Sequence, residues 1–325
     1  MIITVQRSAD LGQVRRTLAG LGLWVAAPER RDDGDTLLVV QSSSTSIELD
    51  LIRAVPGVVG ISKPDSAHPR VDGHGPVATV GKRSVSRDEP ILISGPCSVE
   101  SPEQIERIAR SLRERGVTFL RGGAFKPRTS PYAFQGRGPD ALSWLRAAAD
   151  ACGMAVVTEV LSEHDVGPVA EHADVLQIGS RNMHNYALLK AVGKVGRPVL
   201  LKRSMAATVE EWLLAGEYLL THGSGSVMFC ERGVRTFDET TRNLLDLGAV
   251  ALLSHVHKLP VIVDPSHGTG RRDLIVPLAR AALAAGAAGV MIEVHDRPEE
   301  AQSDAPQALH PDALGPVLAS LRGAS

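Results

Sequence analysis

The sequence predicts an α/β chain in two parts, a small ferredoxin-like βαββαβ domain followed by a (β/α)8 TIM barrel. Three observations carry this. Eight apolar, β-branched runs recur from residue 90 to residue 295, separated by segments of helical periodicity. The runs are almost continuously apolar, which suits strands buried on both faces of a parallel sheet. The first 65 residues follow a different order, strand, helix, strand, strand, helix, strand, which is the ferredoxin-like arrangement.

In the first part, residues 2–6 alternate as a strand, and 10–21 space Leu11, Val14, Leu18 and Leu21 at helical intervals, with Asp10 as N-cap and Gly22 as stop. Strands follow at 23–27 and 36–41, joined through Asp32-Asp33-Gly34-Asp35, then a helix at 46–55 and a strand at 58–61. Units of this kind often serve as binding or regulatory modules, so 1–65 is read as a regulatory domain. Residues 66–87 are read as a linker and a barrel-end hairpin, 77–80 with 82–85, that plugs one end. The two linker histidines, His68 and His74, are expected to be solvated.

The barrel occupies 88–325. Its strands are the runs PILISGPC, TFLRGGA, MAVVTEV, DVLQIGS, PVLLKRS, SVMFCERG, LPVIVDPSH and AAGVMIEVH; its helices are 102–115, 139–152, 164–172, 185–195, 209–221, 239–256, 272–285 and 311–321. Eight units in this length match a barrel of ordinary size. The competing doubly wound sheet would want a GxGxxG after its first strand, and none is present.

Composition narrows the function. A net charge of −2 gives no reason to expect nucleic acid or an anionic membrane as partner. Three cysteines, Cys97, Cys152 and Cys230, at wide spacing and without CxxC, read as a reduced, cytoplasmic chain. No apolar run approaches membrane-spanning length, and the N-terminus lacks the pattern of a signal peptide.

A barrel places its chemistry at the C-terminal ends of its strands. There the sequence offers Arg121, Lys126, Arg128, Arg181, Lys202, Arg203 and Arg232, a concentration of cations in a slightly acidic protein. Several of them sit in FLRGGAFKPRTSPYAFQG, a loop stiffened by Pro127 and Pro131 and anchored by aromatics, beside the hydroxyl of Thr129. This pattern calls for substrates with several negative charges, two phosphates being the natural case. A second group, Cys97, His267, Glu293 and Asp304, combines sulfur, nitrogen and oxygen donors on strands that are neighbours in a closed barrel, so all four can reach one divalent ion. The alternatives are an inert buried thiol at Cys97 and a turn histidine in DPSHGTG. Cys230 and Cys152 read as structural. Lys202 also permits Schiff-base chemistry, since nearby cations would favour its neutral form.

GPCSVES, LRGGAFKPRTSPYAFQG, QIGSRNMHN, LLKRS, CERGVRTFD, VDPSHGTGRRDL and EVHDRPEEAQSDAPQAL together resemble the 3-deoxy-D-arabino-heptulosonate 7-phosphate (DAHP) synthase family, type I, β subgroup. The resemblance covers the barrel from about Pro90, and the N-terminal unit is similar to the ferredoxin-like domain of some members. It implies a cytoplasmic transferase of aromatic amino acid biosynthesis that condenses phosphoenolpyruvate (PEP) with erythrose 4-phosphate at the start of the shikimate pathway. It implies Cys97, His267, Glu293 and Asp304 as ligands of one divalent metal ion, with Mn, Fe, Co and Zn all compatible. By the same resemblance Arg121, Lys126, Arg181, Lys202 and Arg232 clamp PEP, Arg128 and Thr129 contact the aldose phosphate, and Asp264 lies near its hydroxyls or the metal. Lys126, Cys97, His267 and Asp264 are the expected catalytic group. Lys202 then becomes a charge partner, and Glu159, Lys126 or a metal-held water activates the attacking water. The KPRT sequence goes with erythrose 4-phosphate; the alternative is a related synthase that takes arabinose 5-phosphate. A homotetramer is implied as well. Feedback-sensitive relatives carry polar residues on the second strand of the N-terminal domain, whereas this chain has Trp24-Val25-Ala26-Ala27-Pro28.

Overall fold

All eight apolar runs form strands, and these close into one parallel barrel. The structure, a computed structural model, describes residues 1–30, 34–41, 43–62, 65–126, 130 and 132–323. The chain divides into two units, Met1–Ala67 and His68–Ser325.

In the first unit β1 (Ile2–Val5), β2 (Glu29–Arg30), β3 (Thr36–Val39) and β4 (Val58–Ser62) form an antiparallel sheet of order β2-β3-β1-β4. Strand alternation turns Ile3, Val5 and Leu38 onto one face, where they pack with Val14 and Leu18 of the helix Leu11–Gly20 and with Ile52 of the helix Leu49–Arg53. Asp10 Oδ1 accepts the Gln13 N–H at 3.0 Å and fixes the first helix start. The second strand lies later than the expected 23–27. Ser44 Oγ takes the Trp24 N–H at 2.8 Å, and the 23–27 stretch makes a single bridge, Val25 to Val40. The second helix is shorter than 46–55 because Thr45 is tied by its N–H and its hydroxyl to the Gly22 carbonyl, each at 3.0 Å.

In the second unit the hairpin β5 (Ala78–Val80) and β6 (Arg83–Val85) precedes the barrel. The barrel strands are β7 (Ile91–Gly95), β8 (Phe119–Arg121), β9 (Ala155–Val160), β10 (Val175–Ile178), β11 (Val199–Lys202), β12 (Val227–Glu231), β13 (Val261–Val263) and β14 (Gly289–Glu293). Closure is made by β14 on β7, with Glu293 opposite Gly95. Because side chains alternate along a strand, each strand sends every second residue inward. Phe119, Val157, Val175, Leu200, Cys230, Ile262 and Met291 form an inner apolar layer, joined by Ala78, Val80 and Val85 of the hairpin. The hairpin sits at the end where strands begin: Arg83 reaches the Gly153 carbonyl at 2.8 Å and lies over the Phe119 ring. The outward residues pack against the surrounding helices in a second, larger cluster.

His68 and His74 are not solvated. His68 is buried beside Asp72, and His74 Nε2 accepts the Val227 N–H at 3.0 Å, so both are built into the barrel unit. Another departure is the expected helix 239–256, which begins only at Leu247 and continues as a π-turn through Val256. Backbone N–H groups of Arg242, Asn243 and Leu244 are instead taken by Thr269, Gly268 and Val234 carbonyls at 2.9–3.0 Å, so this stretch runs as an extended strap over the His267 turn.

Candidate active site and metal centre

Two residues beyond the inner apolar layer, the same inward parity delivers Arg121, Glu159, Gln177, Lys202, Arg232, Asp264 and Glu293. Above them opens a cavity of about 250 Å³. Arg121, Lys126, Arg181, Lys202 and Arg232 all line it, and of these only Arg181 is exposed. Arg232 Nη1 is buried without a hydrogen-bond partner among the described residues, an arrangement that an anion in the cavity would complete. Arg128 and Thr129 lie outside the described residues.

Arg203, by contrast, does not face the cavity. One step out of parity with Lys202, it points behind the barrel wall, where Nη1 donates to Glu231 Oε2 at 3.1 Å and Asp246 Oδ2 at 2.9 Å, and the guanidinium lies over Trp212. Lys202 Nζ donates to Asp264 Oδ2 at 2.6 Å, the geometry of a charge pair rather than of a lysine left free for imine formation. Burial would raise the Asp264 carboxyl, but His267 and Lys202 outweigh it and hold the group well below the usual carboxylate range.

Cys97, His267, Glu293 and Asp304 bring one donor atom each within 4.8 Å of one another. Each is positioned by a different device. Cys97 follows β7, and its carbonyl accepts from Lys126 Nζ at 2.8 Å and from Gly123 N at 3.1 Å. His267 lies in the short helix Pro265–Thr269, capped by Asp264. Asp264 Oδ2 meets His267 Nδ1 at 2.7 Å, which assigns the proton to Nδ1 and leaves Nε2 as a lone pair. Burial lowers the His267 pKa despite Asp264 and Glu293, so the ring is neutral, as a metal ligand requires. Glu293 Oε1 stands 3.2 Å from that Nε2 and accepts from Arg121 at 2.6 Å, while Gln307 Nε2 holds Oε2 at 2.6 Å. Burial raises Glu293, but the cations Arg121 and Lys126 oppose it and help hold the carboxyl below its usual range. Burial and Glu293 push the Cys97 thiol up to about 12, and it donates to Asp304 Oδ2 at 2.9 Å. A neutral imidazole lone pair facing a carboxylate, and a thiol shared with a second carboxylate, form a donor set that a divalent cation fits.

Several contributors escaped the sequence reading. Gln307 and the serines Ser98 and Ser303 are neutral and carry no charge signal. Arg242 lines the cavity, with Nη1 3.2 Å from Gln307 Oε1, but it falls in the stretch expected to be helical. His295 turns away from the cavity toward Gln104 and Glu100. Gly179 is required by Glu159, since an added Cβ would lie 2.0 Å from Glu159 Oε1. The obstructed atom ends a flexible side chain, so Gly179→Ala is expected to leave the unfolding free energy within about 1 kcal/mol of the parent. Its kcat should fall, because Glu159 is displaced.

Residues 76–322 match the DAHP synthetase I family. The chain belongs to this family. Phospho-2-dehydro-3-deoxyheptonate aldolase of Thermotoga maritima is 54% identical over 218 residues, 67% of this chain and 64% of that relative's length. The crystal structure of that enzyme, described as DAHP synthase, superposes with a TM-score of 0.77 at 39% identity, covering 99% of this chain and 96% of the other. A truncated form of 3-deoxy-D-arabino-heptulosonate 7-phosphate synthase from Thermotoga maritima gives 0.71 at 44% identity, over 77% and 92%. A 2-dehydro-3-deoxyphosphooctonate aldolase of Acidithiobacillus ferrooxidans is 32% identical over 236 residues, 67% of this chain and 83% of the relative. The similarity to DAHP synthases is thus the stronger of the two. Among the described residues no helix is long and apolar enough to cross a membrane.

Proposed function

We propose that this chain is a DAHP synthase, a transferase that joins PEP, D-erythrose 4-phosphate and water into DAHP and inorganic phosphate in the shikimate pathway. The observation that carries the reading is one cavity in which six cations, with an Arg232 Nη1 unpartnered among the described residues, adjoin a Cys, His, Glu and Asp donor set. Cys97, His267, Glu293 and Asp304 would hold one divalent ion, Mn, Fe, Co and Zn all suiting these donors. When bound, the ion supplies Lewis-acid polarisation of the aldehyde oxygen.

The side chains do the rest. Arg121, Lys126, Lys202 and Arg232 neutralise the carboxylate and phosphate of PEP, with Arg181 at the rim, and fix C3 for attack on the aldehyde carbon. Arg128 and Thr129 take the phosphate of the aldose. Asp264 keeps His267 in its Nδ1–H form and Lys202 in place. As the C2=C3 π pair bonds C3 to the aldehyde carbon, the carbonyl π pair moves onto the aldehyde oxygen, which takes up a proton to become a hydroxyl, and positive charge develops at C2. Water adds there with loss of a proton, and the adduct then forms C2=O with loss of its hydroxyl proton as the phosphate departs with the C2–O bond electrons. Glu159, which lines the cavity, takes the proton of that water. The 1–65 unit serves as a regulatory domain, the barrel unit that follows begins at His68 and includes the 78–85 hairpin, and the enzyme works as a cytoplasmic homotetramer.

The test is PEP consumption with erythrose 4-phosphate or arabinose 5-phosphate, before and after chelation. Erythrose 4-phosphate is the expected acceptor, with activity lost on chelation and restored by a divalent ion. Full activity in chelator refutes the metal centre, and preference for arabinose 5-phosphate refutes the acceptor.

A further inference from the structure

Asp304 is unlike the other three donors in that no barrel strand leads directly into it; it caps the 3-10 turn Ala305–Gln307. It sits in the long excursion after β14, whose two ends are pinned by Leu309 N to Glu293 O at 3.0 Å and His295 N to Leu309 O at 2.9 Å. Its backbone is left-handed, φ 52°, one of two such non-glycine residues among those described, the other being Lys258. A non-glycine residue in this region is held at a cost of about 1–3 kcal/mol and persists where surrounding contacts over-determine it.

Those contacts run in register between two loops. Cys97 Sγ meets Asp304 Oδ2 at 2.9 Å, Ser98 Oγ meets Ser303 Oγ at 2.8 Å, and Glu100 Oε1 accepts the Gln302 N–H at 2.9 Å. Both serines are buried, at 1% and 5% exposure. The first loop is itself fixed: Gln104 Nε2 donates to the Ser98 carbonyl at 3.3 Å, and Gln104 Oε1 accepts the Glu100 N–H at 3.0 Å. The second loop thus takes its register from a rigid partner.

We propose that Ser98 and Ser303 are positioning residues of the metal centre, their hydroxyl pair registering the two loops so that Asp304 is held against Cys97 as a ligand. This rests on the four-donor metal reading above. The pair touches neither the cavity nor a donor atom, so it acts through Asp304. Removing one hydroxyl strands the other in a buried site, whereas removing both avoids that penalty. The double variant Ser98→Ala/Ser303→Ala is therefore the informative one.

The experiment titrates apo protein with Co²⁺ and reads affinity and the visible spectrum, in the parent, the double variant, Asp304→Asn, and the triple combination. The parent should show a thiolate-to-cobalt charge-transfer band from Cys97. The double variant should keep that band, change the d–d envelope as the carboxylate drifts away, and bind Co²⁺ about tenfold to a hundredfold more weakly, the usual effect of losing an outer partner. In the Asp304→Asn background the serine replacements should add no further loss. Unchanged affinity and spectrum in the double variant overturn the proposal, even if its apo form melts lower. Equal losses in both backgrounds also overturn it, since the serines then do not act through Asp304. A parent without the thiolate band overturns the metal centre, and this proposal with it.

Discussion

Alanine at Cys97 is expected to lower metal-dependent turnover by about a thousandfold, the equivalent of roughly 4 kcal/mol of transition-state stabilisation, while the barrel stays folded. The thiol is buried, yet its contacts are polar: it donates to Asp304 and lies between Glu293 and Lys126. It does not belong to either apolar cluster of the barrel unit, so its loss opens little packed volume. The measurement is kcat/KM under saturating divalent ion, beside a thermal melt of the apo form. An unaffected rate would remove Cys97 from the ligand set.

Arg203→Met should do the reverse, damaging stability before chemistry. The guanidinium is 7% exposed and, among the described residues, is the one cation bonded to the Glu231 carboxylate, which is itself fully buried. Breaking a buried pair by removing one member costs about 3–5 kcal/mol, because the remaining charge is left uncompensated. A drop of about 6–20 °C in melting midpoint follows for a domain of this size. The effect should depend on pH in a defined direction. Burial already raises the Glu231 pKa, against the opposing pull of the Gly233 N–H and Arg203. Without Arg203 it rises further, so the folded state binds a proton that the unfolded state does not. Stability of the variant relative to the parent then falls as pH rises from the ordinary carboxylate range toward the raised folded value. Melts from pH 5 to pH 8 test this, and a deficit independent of pH would mean that lost packing on Trp212 is the cause.

The barrel is legible in the sequence because strands apolar on both faces mark a parallel sheet, and eight such strands alternating with helices suit closure better than an open doubly wound sheet. The convergence of Cys97, His267 and Glu293 is legible for a related reason: once the barrel closes, its first, seventh and eighth strands must be neighbours. Misreading Arg203 as a cation of the mouth was avoidable, since adjacent residues of a strand cannot both face inward, and Lys202 already does. Arg242 is harder. Residues 239–246, Glu-Thr-Thr-Arg-Asn-Leu-Leu-Asp, hold no Gly or Pro to stop a helix before 247, and the tertiary bonds from that strap to Gly268 and Thr269 decide against one. The left-handed turn at Asp304 and the serine pair beside it leave no trace in composition or period, because neutral hydroxyls acquire meaning only when two distant loops meet.

The hairpin at the foot of the barrel has a consequence for traffic. Ala78, Val80 and Val85 seal the end already filled by the inner apolar layer, so the reaction chamber is a blind well. Whatever occupies its floor, among Lys126, Lys202 and Arg232, must arrive before anything seated nearer the rim and leave after it. Queueing of this kind needs no moving part: among the described residues it follows from a vessel closed at its foot.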